Sequence, residues 1–277
     1  MKVYGGFLGG EASIVSRDWE SNSTILNGNI GDGGDIWDNS LCVVKFDHVG
    51  STTHLDGFTI REGVGNDGGR IVIDGTGSGG TCSPVLQNLT VTANRAVEQA
   101  GGIFIHAADY GNASPSLSNC TIVGNHAELG GGMYFDIENS GRSTATLEDC
   151  KILSNVGYSH GGGIYMNGTY VFPTFDRCTI SGNYANEGGG LYLNPGQYGY
   201  CRPIISNTLI SGNRANYSGG GIYNKVCDRG EAEPSLYNCT FAGNRATYGG
   251  AINNWFTTDQ TSSVGKSRFW SCAETRA

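Results

Sequence analysis

The sequence predicts an all-β solenoid, a single stack of parallel β-coils, on three observations. A motif of about thirty residues recurs six times between Leu86 and Trp255 and closes on Asn94, Asn125, Asn155, Asn183, Asn213 and Asn244, at spacings of 31, 30, 28, 30 and 31. A period of this size and constancy marks a repeat in which each unit buries its face only by stacking on its neighbours. The chain also holds 46 glycines in 277 residues and only 15% charged residues, and its apolar runs are short and β-branched or aromatic. No Ala and Leu stripe at helical spacing is present. Finally, each asparagine is followed by a Gly-Gly-hydrophobic-aromatic run such as GGGMYF or GGGIYM, which opens a further strand.

The elements follow in order. Residues 1–277 read as one domain, since no linker of Pro, Ser or charged residues interrupts it. Residues 1–51 depart from the repeat and are expected to form an irregular first coil or cap, 52–256 carry the repeats, and 257–277 form an incomplete last coil. Within a repeat, side chains alternate faces with a period of two. Cys120 with Ile122, Cys150 with Ile152, Cys178 with Ile180 and Cys239 with Phe241 therefore point inward together. Leu117, Leu147, Phe175, Ile205 and Leu236 precede those pairs by three, the wrong parity for one strand, so a bend separates two short strands. After the asparagine, Ile103, Met133, Ile164, Leu191, Ile222 and Ile252 open a third strand. Ile105, Phe135, Met166 and Leu193 share its inner face. Three strands per coil close a triangular parallel β-helix.

The asparagine column supplies a mechanism for the turn. An amide side chain held at the same bend of every coil donates to and accepts from the coils above and below, and asparagine tolerates a left-handed backbone. A weaker column runs through Asn88, Asn119, Asp149, Arg177, Asn207 and Asn238 at the first bend.

On these motifs the chain resembles the right-handed parallel β-helix, or pectin-lyase-like, proteins of bacterial surfaces. Its paired GG-x-I and F-x-x-N signatures are similar to the repeats of chlamydial polymorphic outer membrane proteins, in strict form from Phe241 to Asn244 and from Gly249 to Ile252. The opening VYGGFLGGEASIVSRDWESNSTILNGNI followed by LDGFTI is similar to the start of the helix in large secreted bacterial β-helix proteins. The resemblance implies a cell-surface or secreted module, often adhesive, and a right-handed coil, the usual hand for parallel crossovers. It supplies no reaction.

A net charge of −8 argues against nucleic acid, which needs basic stripes. No run of eighteen apolar residues exists to span a membrane. The first residues lack the long apolar core of a secretory signal, so export information is expected either upstream or already removed. Cys272 falls 28 residues after Asn244, at the next ladder position. The solenoid is therefore expected either to continue or to meet another molecule at its open end, where unpaired strand backbone templates pairing and head-to-tail stacking builds filaments.

Of nine cysteines, six fall into two groups by their place in the repeat. Cys120, Cys150, Cys178 and Cys239 occupy the inward column as small hydrophobes, although neighbours in adjacent coils are close enough for Cys120 and Cys150 to bond. Cys201 and Cys227 sit in loops of successive coils and form a possible disulfide, which would contribute roughly 3–4 kcal/mol in the chain-entropy model and indicate an oxidising compartment. No zinc spacing occurs. Of seven N-x-S/T sequons, Asn112, Asn167 and Asn216 lie in loops and are the better glycosylation acceptors. A fold written in Asn, Ser, Thr and Gly also makes sequons by accident.

Two surfaces are candidates for function. Phe104, Tyr134, Tyr165, Tyr192 and Tyr223 recur on the outward face of the third strand and predict an exposed aromatic ladder for sugar rings or a protein, extended by Trp255 and by Tyr110, Tyr170, Tyr198 and Tyr200. Stacked tyrosines also stabilise strands by cross-strand contact alone. Glu148, Asp149, Lys151, Asp176 and Arg177 form the one catalytic candidate. Carboxylates one rung apart suit Ca²⁺ or the acid and base of glycoside hydrolysis. By resemblance to β-helix polysaccharide lyases, Arg177 or Lys151 would act on a uronate. Solvated ion pairs are the alternative reading. The histidines, His48, His54, His106, His126 and His160, show no triad spacing. Ser159-His160-Gly161 is the nearest string to a polygalacturonase-like Gly-His-Gly, at a turn and away from carboxylates. Apart from Ca²⁺ no cofactor is expected.

Three functions follow. The leading one is a noncatalytic extracellular or cell-surface binding module of adhesin type that engages glycans or protein partners. The alternatives are a structural subunit of an extracellular filament built by end-to-end stacking, and a polysaccharide lyase or glycoside hydrolase.

Overall fold

A computed structural model describes residues 1–31, 35, 38–66, 69–227 and 229–256. The incomplete last coil expected over 257–277, with Cys272, lies outside the described residues. The described chain is a parallel β-solenoid. Three parallel sheets of eight strands each run its length, and they are the three faces that the sequence predicts.

The coil around Asn155 illustrates the unit. Thr146–Glu148 lies in the first sheet, Lys151–Leu153 in the second and Ile164–Gly168 in the third. Asp149, at φ 54°, makes the bend between the first two. The whole second column shares that geometry: Asn88, Asn119, Asp149, Arg177, Asn207 and Asn238 all have φ between 51° and 54°. The asparagine ladder itself is not left-handed, which corrects the expectation for that turn. The residue before it takes the positive φ, as Ala93, Gly124, Ser154, Gly182, Gly212 and Gly243.

A fourth sheet of six short strands is added between the asparagine turn and the third sheet, represented in this coil by Val156–His160. It leaves little signal in the sequence, because its inward residues are only Ala or Gly, as in Ala127, Gly157, Ala185 and Ala215. A three-stranded patch, Tyr170–Val171, Tyr200–Cys201 and Glu231–Ala232, borders the far edge of the third sheet. Residues 1–51, expected as an irregular cap, supply one strand to each long sheet: Lys2–Tyr4, Thr24–Asn27 and Val44–Asp47. Arg17 fastens this first coil by pairing with buried Asp56 and lying over the Tyr4 and Trp19 rings.

Packing follows the inward columns. Ile122, Ile152, Ile180 and Ile210 stack in register, as do Phe135, Met166 and Leu193, all fully buried. Each such side chain contributes roughly 1.5–3 kcal/mol on burial. Asn94, Asn125, Asn155, Asn183 and Asn213 are equally buried. Their cost is met by hydrogen bonds: Asn125 Nδ2 donates to Val91 O at 2.9 Å and to Asn155 Oδ1 at 3.1 Å, and its backbone N–H donates to the same Oδ1 at 3.0 Å.

The cysteine column serves the first bend. Cys150 Sγ donates to Glu148 O at 3.3 Å, and Cys120, Cys178 and Cys239 bond the carbonyl two residues back in the same way. In the coil of Asn213, Thr208 takes the position and its Oγ1 donates to Ser206 O at 2.7 Å, whereas the coil of Asn94 places the buried Leu89 there. Four cysteines and one threonine of this column thus tie the bend to the carbonyl two residues back. No disulfide is formed among the described cysteines. For Cys201 and Cys227 this corrects the expected bond: the register sets Cys201 beside Val171 and Ala232, and its sulfur turns inward against Met166.

Candidate functional site

The aromatic column lies where the sequence places it, on the outer side of the third sheet, in register Phe104, Tyr134, Tyr165, Tyr192, Tyr223. It is not exposed. Tyr134, Tyr165, Tyr192 and Tyr223 keep 7% or less of their surface, because the fourth sheet and its glycine turn fold over them. At Gly161, φ 62°, a Cβ would stand 2.7 Å from the Tyr165 Cβ, and at Gly188 one would stand 2.7 Å from the Tyr192 Cβ. Successive tyrosine rings sit 4.9, 5.0 and 5.2 Å apart. The column is a second hydrophobic core. Burial pushes the Tyr165 and Tyr223 phenols up to about 12, so they remain neutral donors.

A polar column runs beside it, two residues further along each strand: Asp74, His106, Asp136, Asn167, then Asn194. Asp136 is nearly buried and gathers Tyr134 Oη at 3.3 Å, Asn167 Nδ2 at 3.3 Å and His106 Nδ1 at 3.2 Å. In the last coil pair this column becomes Lys225 and Trp255. Among the described residues the cover over the tyrosines ends there, and a cleft of about 820 Å³ has Tyr217, Tyr223, Tyr248 and Trp255 among its aromatic walls and Glu187 and Lys225 as its charges. Its size falls within the usual range for ligand pockets, roughly 300–1,000 Å³. Tyr217, Tyr248 and Trp255 are 60%, 65% and 41% exposed, and Lys225 Nζ lies 5.8 Å over the Trp255 ring.

Glu187 connects this cleft to His160. The register stacks His160 on Glu187, and Nε2 lies 3.3 Å from Glu187 Oε2. The ring is held between Tyr165 and Tyr192 at 6.0 and 4.7 Å. Burial holds the His160 pKa below its ordinary value, against the pull of Glu187. His160 therefore does sit beside carboxylates, contrary to the expectation from sequence, and His106 has its own in Asp136. In each case the partner is one coil away in sequence, invisible to a motif search, and for His160 a register shift in the fourth sheet intervenes. Tyr217 and Tyr248 do carry a signal that a motif search could find: tyrosine just ahead of a Gly-Gly run, in NYSGG and TYGG.

The proposed catalytic residues are brought together in part. Glu148 and Asp176 are register partners, and Arg177 bonds Glu148, Asp176 and, at 2.9 Å through both Nε and Nη2, Asp149. These groups are exposed or half-exposed, and the guanidinium lies among the three carboxylates. Its neighbours hold its pKa above the ordinary value. Lys151 stands apart, in a polar groove with Trp19, Asn119 and Thr121. Among the described residues no three His, Cys, Asp or Glu side chains converge as a metal site. The preferred sequons lie on strands and not in loops, with Asn112 in Asn112–Ala113, Asn167 in Ile164–Gly168 and Asn216 in Arg214–Ser218; Asn167 Nδ2 is committed to Asp136, and Asn216 Nδ2 to Tyr184 Oη and Asn186 Oδ1 at 2.7 Å each. Asn112 is half-buried and accepts from Ser114 Oγ. No helix among the described residues is long and apolar enough to cross a membrane.

Comparison with known families matches the model described as a right handed beta helix region to residues 136–275. No curated protein and no solved structure matches the chain.

Proposed function

As a member of the right-handed β-helix family, the chain is a parallel β-solenoid, and we propose that it is an extracellular or cell-surface binding module that takes a glycan in the cleft at its last described coils. The observation that carries this reading is the company kept by Trp255. Three exposed aromatic side chains, Tyr217, Tyr248 and Trp255, surround Glu187, Lys225 and Asn253 in one concavity. Sugar rings present apolar C–H faces and a rim of hydroxyls, which suits aromatic walls with interspersed donors and acceptors. The likeness of the repeats to those of bacterial surface proteins supports the extracellular placement.

The reading is noncatalytic because each carboxylate of the Glu148, Asp149 and Asp176 group already faces the Arg177 guanidinium. A screen of the purified chain on a glycan array, followed by calorimetry on any hit, tests the reading. Trp255→Ala and Tyr248→Ala should each weaken binding roughly five- to 150-fold with unchanged thermal stability, taking stacking of a planar ring on an aromatic side chain, about 1–3 kcal/mol, as the scale. Binding that survives both substitutions would place the ligand elsewhere.

A further inference from the structure

A second surface, away from the cleft, has the composition of an interface. On the three-stranded patch, Val171, Cys201 and Ala232 point inward and their neighbours point out. The outer side is a grid of two columns. One reads Arg142, Tyr170, Tyr200, Glu231 in successive rungs, the first step fixed by the Ser143–Val171 bridge. The other holds Phe172, Arg202 and Glu233 in the last three rungs. Tyr170 and Tyr200 stack at 5.9 Å with their planes 15° apart. The Arg142 guanidinium lies 5.5 Å over Phe172 and that of Arg202 lies 4.8 Å over Tyr200.

Charge is distributed unevenly along this strip. Arg202 pairs with both Glu231 and Glu233, at 2.5 and 3.1 Å, so one cation and two anions leave that end at −1. At the other end Arg142 is exposed and has no carboxylate within 4 Å among the described residues. The strip is thus positive, aromatic, then negative, over three rungs or about 14 Å. Tyr, Phe and Arg are the residue types that dominate the centres of protein interfaces.

Such a strip is complementary to itself turned end for end. We propose that it is the contact of an antiparallel homodimer, with the twofold axis along the strands, midway between the Tyr170 and Tyr200 rungs. Under that operation Arg142 of one copy faces Glu231 of the other, Tyr170 faces Tyr200, and Phe172 faces Arg202. Each contact occurs twice, as an isologous interface requires. The parallel arrangement sets Arg142 against Arg142 and the acidic ends against each other, which is repulsive. The antiparallel pair directs its two C-terminal ends in opposite directions, so that a dimer presents two clefts to two separate surfaces or ligands.

Sedimentation velocity of the full chain over a wide concentration range tests this with four proteins: the wild type, Arg142→Glu, Glu231→Arg and the double reversal. The wild type should dimerise. Each single reversal, which opposes like charges twice per dimer, should weaken the dimer at least tenfold, and the double reversal should restore it, with far-UV circular dichroism unchanged throughout. A wild type that stays monomeric overturns the proposal. So does a dimer indifferent to both single reversals, whose contact lies on another face, and so does a loss that the double reversal fails to repair, which excludes the antiparallel pairing.

Discussion

Each of the four interior ladder asparagines, Asn125, Asn155, Asn183 and Asn213, works as a four-bonded joint. Asn155 Nδ2 donates to Ile122 O at 3.0 Å and Asn183 Oδ1 at 3.1 Å, while its Oδ1 accepts from the Asn125 backbone N–H at 3.0 Å and from Asn125 Nδ2 at 3.1 Å. Removing it strands groups in two neighbouring coils, and an unsatisfied buried group costs about 1–3 kcal/mol. Asn155→Ala should therefore lower unfolding stability by about 3–5 kcal/mol in urea titrations, while Asn119→Ala, in the exposed column, should cost about 1 kcal/mol, chiefly its left-handed backbone. A cost below about 1 kcal/mol at Asn155 would mean that the ladder is ornamental. The histidines add a dependence on pH whose sign differs between two sites. The hydrogen bond to Asp136 raises the His106 pKa above 6.5. Its stabilisation is complete below that value and is lost as pH rises through the folded one. His160 is shifted the other way by burial, so the folded protein disfavours its proton. That penalty is absent above 6.5 and grows as pH falls toward the lower folded value. Urea midpoints between about pH 5 and 8 should lose acid-side stability in His106→Gln and gain it in His160→Gln. Shifts of the same sign in the two variants would overturn this assignment.

At the scale of elements, glycines of the same repeat are required for two different reasons. Gly212 has φ 62°, but a methyl placed on its Cα would find no atom nearer than 3.9 Å. Its column holds Ala93 and Ser154 at φ 53° and 51°, so Gly212→Ala should cost only about 1 kcal/mol, the cost of the left-handed backbone. Gly162 has an ordinary φ, yet a methyl there would stand 2.4 Å from Tyr184 O and 2.5 Å from Gly189 O, both backbone. Gly162→Ala should drop the melting temperature several times further, and equal drops would refute the close-packing account. The same turn explains what sequence could and could not supply. Period, ladder asparagines and inward columns were legible because they repeat in every coil. Burial of Tyr134, Tyr165 and Tyr192 was not, because it depends on a sheet whose inward residues are Ala and Gly and carry no hydrophobic alternation. The cleft escaped for a related reason. Its wall joins Glu187, Tyr217, Lys225, Tyr248 and Trp255, from three coils that no single repeat brings together.

For the whole molecule, the stack makes coils separable in a way that globular cores are not. Each strand of the long sheets pairs only with its counterparts one coil above and below, so stability is close to a sum of coil and neighbour terms. Removing residues 156–183 deletes 28 residues, one ladder spacing, and joins Asn155 to Tyr184 in place of the native Asn183–Tyr184 junction. Thr146–Glu148 then meets Ile204–Ser206, Lys151–Leu153 meets Leu209–Ser211, and Leu191–Asn194 stacks on Met133–Ile137. Every inward column keeps its parity, and Asn155 takes Asn213 as its ladder partner. The shortened chain should unfold in one cooperative step with an m-value lower by about a tenth, in proportion to the surface removed. Tyr217, Lys225, Tyr248 and Trp255 lie beyond the cut, so glycan affinity should persist, whereas Tyr170 and Phe172 are lost with the deleted coil and dimerisation should vanish with them. A deletion of twenty residues from the same starting point breaks the register of all four sheets and should give no folded protein. If the in-register deletion also fails to fold, stability is not distributed coil by coil, and the buried tyrosine column from Tyr134 to Tyr223 must act as one indivisible unit.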